Sequence, residues 1–106
     1  MVNQSVIEIV KKYIQQIPDS MDLKRAYLFG SYAKGVERDD SDIDIALVIG
    51  KMDDFFLIQM QLMRLRRKID LRIEPHPIWD KDFNIQNPFA YEIQQTGIEI
   101  VKTTKA

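Results

Sequence analysis

The segment Asp42-Ile43-Asp44-Ile45-Ala46-Leu47-Val48-Ile49 constrains this chain more than any other. It alternates and is rich in β-branched residues, which predicts a strand over 42–49. Side chains two apart on a strand share a face, so Asp42 and Asp44 project together while Ile43, Ile45 and Leu47 point into an apolar layer. Two adjacent carboxylates repel one another and need a cation or solvent between them. Hard oxygen ligands suit Mg²⁺, which binds through one or two carboxylates plus substrate phosphates.

The rest of the pattern places this strand in an α+β domain. Val6, Ile9, Val10, Tyr13, Ile14 and Ile17 recur at helical spacing. Ser5 is the expected cap, with Glu8 completing a capping box. A strand is expected over 25–29, then one helical turn over 32–34 and a polar loop to Ser41. Asp53 and Asp54 open a second helix that runs to about Lys68, with Phe56, Met60, Met63 and Arg67 along one side. Met60 and Met63 read as core residues, and Arg64, Arg66, Arg67 and Lys68 as a solvated helix end. A third strand is expected over 69–74, stopped by Pro75 and Pro77. Asn87-Pro88 starts the last helix, Gly97 stops it, and residues 98–101 form a short strand. Mixed strands and helices without strict alternation predict helices packed on a small mixed sheet.

A turn precedes the acidic strand. Gly30 lets the backbone bend sharply and approach a ligand. The amides of Ser31 and Tyr32 would point outward at the start of a short helix, a cradle for phosphate, with the Ser31 hydroxyl and Lys34 on the same side. A phosphate cradle beside paired carboxylates suits metal-assisted phosphoryl or nucleotidyl transfer. Tyr32 could stack on a base or pack internally; the sequence leaves both open. His76, between two prolines, reads as a loop or packing residue, and Trp79 and Phe83 as anchors of an irregular stretch.

Composition removes several alternatives. Fifteen Lys and Arg face sixteen Asp and Glu, a net charge of -1, which argues against general nucleic-acid binding. There is no cysteine and only one histidine, so thiol catalysis and multi-histidine sites are excluded. No apolar run reaches the roughly 18 residues of a membrane span, and no signal peptide is visible, so the expected location is the cytoplasm. At 106 residues, with no repeat or linker, the expectation is one domain over 1–106.

Gly30-Ser31, the ten residues to Ser41, and Asp42-Ile43-Asp44 together resemble the signature of the DNA polymerase β-like nucleotidyltransferase superfamily. The short chain looks like its minimal nucleotidyltransferases, and Asp70–Pro77, Asn87-Pro88-Phe89 and Thr96-Gly97-Ile98 are similar to one subset of them. The resemblance implies a palm-like nucleotidyltransferase fold. It also implies Mg²⁺-dependent transfer of a nucleoside monophosphate from ATP, with Asp42 and Asp44 as metal-binding catalytic carboxylates and Gly30, Ser31, Tyr32 and Lys34 on the nucleotide side. Lys34 stands where the family often has Arg. A third carboxylate on a later strand is implied: Asp70 is the match, with Glu74 the competitor. Such proteins are commonly antitoxins that adenylylate a tyrosine on HEPN-domain ribonuclease toxins. With five residues after Val101, no second acceptor-binding domain is expected, which favours a protein acceptor. The rivals are an antitoxin acting by occlusion and an enzyme acting on an RNA end or a small molecule.

Overall fold

The structure is a computed structural model, and it describes residues 3–101. Helix α1 (Gln4–Gln15) and a 3-10 turn lead to β1 (Leu23–Phe29), the short helix α2 (Ser31–Lys34) and β2 (Ile43–Ile49). Helix α3 (Phe55–Leu65) precedes β3 (Ile73–Trp79), and α4 (Pro88–Thr96) precedes β4 (Ile98–Glu99). The sheet order is β3-β2-β1-β4. β1 runs antiparallel to β2 and β4, and β2 runs parallel to β3, so the sheet is mixed.

The period of two along the strands sorts side chains onto two faces. One face carries Leu28, Ile43, Ile45, Leu47, Ile49 and Ile73 into the main core, against Val6, Val10, Tyr13 and Ile14 of α1 and Ile58 and Leu62 of α3. The other carries Tyr27, Ala46 and Val48, covered by Ile93 of α4 and by Phe83. The Tyr13 hydroxyl ties the two core helices together by donating to the Leu62 carbonyl at 2.6 Å. Burial pushes its pKa well above the ordinary value.

Three local expectations need correction. Asn3, not Ser5, caps α1: its side chain accepts from the amides of Ser5 and Val6, so no Ser5–Glu8 capping box forms. The third strand runs over 73–79, straight through Pro75 and Pro77. β3 lies at the sheet edge. Successive residues alternate their amides between the two sides of a strand, so two prolines two apart can both turn their nitrogens to the free edge, where no ladder bond is lost. On that edge Arg66 and Gln59 donate to the carbonyls of Ile73 and Pro75. Finally, α3 buries Ile58 and Leu62, while Met60 is 41% and Phe56 70% exposed. The helix covers the sheet with a narrow stripe one step away from the Phe56–Met60 line.

Asn87 caps α4 as expected, accepting from the amides of Phe89 and Ala90. Among the described residues, no helix is long and apolar enough to cross a membrane. Replacing Tyr13 by Phe removes a hydroxyl that bridges α1 to α3. The expected cost is about 1 kcal/mol, read as a lower urea midpoint at unchanged slope.

Candidate active site

The carboxylates and the glycine turn meet because of strand register. Phe29, the last residue of β1, pairs with Asp44 on β2. Gly30 follows directly and therefore lies against the Asp44 side chain. Its dihedrals, φ 77° and ψ -151°, belong to a region open in practice only to glycine. A Cβ at Gly30 would stand 2.5 Å from Asp44 Oδ2. Glycine is therefore demanded twice, by the backbone and by the carboxylate behind it.

Ile43 and Ile45 are fully buried, so Asp44 stands on the opposite face of β2. Asp42 immediately precedes the strand and is exposed. Ser31 opens α2 and is half-buried, and Lys34 is exposed at the end of that helix. Tyr32 is 3% exposed and belongs to the main core. Its ring packs internally rather than facing solvent.

The two candidates for a third carboxylate differ in place. Asp70 lies in a turn before β3, not on the strand, so it does not share a strand face with Asp42 and Asp44. It grips Arg72, whose Nε and Nη2 donate to Oδ1 and Oδ2 at 3.0 and 2.8 Å. This side-chain pairing holds the Asp70 carboxyl below the usual carboxylate range. Arg72 also donates to the Tyr32 hydroxyl at 3.1 Å, so Asp70, Arg72 and Tyr32 clamp α2 to the start of β3. Glu74 is on the strand, as the direct register partner of Asp44. Its nearest cation is Arg66, at 3.5 Å.

His76 also belongs to this surface, although its place between two prolines predicts a loop or packing residue. Its Nε2 is 3.1 Å from Asp44 Oδ1. A strand passing through both prolines was the signal needed to find it: once residues 73–79 are extended, His76 shares the face of Glu74.

Among the described residues, no three His, Cys, Asp or Glu side chains form a ready-made metal cage. Mg²⁺ does not require one, because it is usually held by one or two carboxylates with water and substrate phosphates. Asp44 supplies hard oxygen donors beside the glycine turn, with the exposed Asp42 two residues before it in the chain, and carboxylates of that kind fit the ion.

Residues 7–106 match the family described as polymerase beta, nucleotidyltransferase. The chain belongs to that family. It is a nucleotidyltransferase, and its small mixed sheet with packed helices is the family's fold. A Methanocaldococcus jannaschii protein carrying the provisional name protein adenylyltransferase MJ0141 is 31% identical over 100 residues, covering 90% of this chain and 98% of that one. A second from the same organism, provisionally protein adenylyltransferase MJ1215, is 34% identical over 68 residues, 60% of this chain and 79% of that one. Among solved structures, a toxin–antitoxin with AMP-PNP aligns with TM-score 0.66 at 23% identity, over 92% of this chain and 74% of that one. A provisionally assigned nucleotidyltransferase of Sulfolobus solfataricus aligns with TM-score 0.64 at 22% identity, over 96% of this chain and 85% of that one.

Two outcomes follow for this nucleotidyltransferase. Gly30→Ala is expected to lose about 1–3 kcal/mol of stability and to displace Asp44, with loss of nucleotide transfer; urea unfolding and a transfer assay measure both. Asp70→Asn is expected to lower stability at neutral pH. Because the folded-state pKa of Asp70 is depressed, the deficit relative to the unsubstituted protein begins to close as pH falls to about 3.9 and vanishes below the folded value. Unfolding curves of both proteins across that range check the sign.

Proposed function

We propose that this nucleotidyltransferase moves AMP from ATP to a hydroxyl on a protein partner. The observation that carries the proposal is the packing of Gly30 on Asp44, which brings a glycine turn and a carboxylate within one nucleotide's reach. The similarity to two proteins provisionally named protein adenylyltransferases, one of them over 98% of its length, supports AMP and a protein acceptor. The likeness to toxin–antitoxin structures, one with AMP-PNP and one a mutant MntA–HpeT pair, supports ATP as donor and a toxin as partner. A HEPN-domain toxin bearing a tyrosine acceptor is the partner implied by the resemblance to minimal nucleotidyltransferases, and this chain would be its antitoxin.

In this mechanism Asp42 and Asp44 hold Mg²⁺, which supplies charge neutralisation at the triphosphate. The backbone at Gly30 and Ser31 and the Ser31 hydroxyl orient the phosphates, with the exposed Lys34 as a countercharge. The acceptor oxygen attacks the α-phosphorus in line. The new O–P bond forms as the α–β bridge breaks, the hydroxyl proton leaves, and pyrophosphate departs. Of the two third-carboxylate candidates, Glu74 is better placed to receive or steer that hydroxyl, because it neighbours Asp44 across the strands whereas Asp70 is engaged by Arg72.

A second reading has its own support: both third-carboxylate candidates are ion-paired to arginine, so the chain could neutralise its partner by occlusion alone. Transfer of label from α-labelled ATP to the partner separates the two. Asp42→Asn and Asp44→Asn are each expected to reduce labelling at least about 100-fold, given what metal-bound carboxylates contribute to such reactions, and to abolish neutralisation. Labelling at the unsubstituted rate would refute the assignment. Neutralisation that persists without labelling would establish occlusion.

A further inference from the structure

We propose that His76 is a positioning residue, which fixes the Asp44 carboxylate in the orientation needed for metal; this rests on the reading of Asp44 as a metal ligand. An aspartate carboxylate turns broadly about its last torsion, so a ligand oxygen is aimed only when something else holds the group. Here both oxygens are constrained. Oδ2 faces the Gly30 backbone, where even a methyl group would stand at 2.5 Å. Oδ1 lies 3.1 Å from His76 Nε2. A carboxylate only accepts, so Nε2 carries the proton and donates.

The strand register produces this contact. Glu74 is the direct partner of Asp44, and His76 lies two residues further along the same face, a diagonal neighbour within reach of a long side chain. The imidazole is itself braced. Phe29, the partner of Asp44 on β1, meets it edge-on with ring centres 5.0 Å apart. Phe89, in the first turn of α4, braces Phe29 at 5.5 Å. The row Phe89–Phe29–His76 thus reaches from α4 to the carboxylate. The His76 side chain is 42% exposed, so burial does not explain its place. Hydrogen bonds to metal-binding groups typically govern metal affinity by 10–100-fold.

Two substitutions separate the hydrogen bond from the packing. His76→Phe keeps a ring against Phe29 and removes the donor. His76→Gln keeps an N–H donor and removes the ring. The probe is Mn²⁺ alone, titrated into the full chain and followed by the electron paramagnetic resonance of the free ion. His76→Phe is expected to weaken Mn²⁺ binding about tenfold or more, with an unchanged urea midpoint in the absence of metal. His76→Gln is expected to bind as the unsubstituted protein does. Unchanged Mn²⁺ affinity in His76→Phe would overturn the proposal and leave the proposed function intact. Equal loss in both variants would place the histidine nitrogen on the metal and likewise overturn a positioning role. If the unsubstituted chain binds no Mn²⁺, the metal reading of Asp44 fails and this proposal fails with it.

Discussion

The antiparallel register of β1 on β2 is the constraint on which the site depends. It sets Phe29 opposite Asp44, so the residue after the strand must turn directly over a carboxylate. Only glycine fits there, on both backbone and steric grounds. A slip of one residue would move Asp44 to the core side of the sheet and Ile45 to the site side. Burial of Ile43, Ile45, Leu47 and Ile49 makes that slip costly, so the hydrophobic core and the site are fixed by one set of contacts.

Arginines on the β3 side organise the surrounding charge. Arg72 is held by Asp70 and reaches the Tyr32 hydroxyl, which anchors α2 to the sheet. Arg66 lies between the Ile73 carbonyl and Glu74, joining the end of α3 to the strand edge. These cations are balanced by local carboxylates. With a net charge of -1 the chain has no basic excess with which to attract an anion at large. In the proposed function, recognition of a triphosphate therefore falls to the turn and the aspartates themselves.

Much of this was legible in the sequence. Strand β2 and the last helix declare themselves through alternation and through Asn87-Pro88, because such local signals survive tertiary packing. Gly30 and Asp44 both stand out in the sequence, and the register gives their contact a physical reason. The failures were tertiary. Pro75 and Pro77 read as breakers because nothing local reveals that β3 lies at an edge with its proline nitrogens free. Stopping the strand at the prolines shortens it and hides His76, while the alternation that begins at Ile69 places Asp70 on a strand where the chain in fact turns. Met60 departs from the core expectation because helical spacing reveals a stripe but not which of two neighbouring stripes meets the sheet.

The central claim is that the Gly30 turn and Asp44 form one Mg²⁺–nucleotide site. Its most direct measurement is the unfolding free energy of the chain with Mg²⁺ and a non-hydrolysable ATP analogue, each titrated with the other present and absent. Stabilisation of about 2.7 kcal/mol is expected at a hundred times the dissociation constant, and only when metal and nucleotide are added together. No stabilisation by any nucleoside triphosphate with Mg²⁺ would contradict the account.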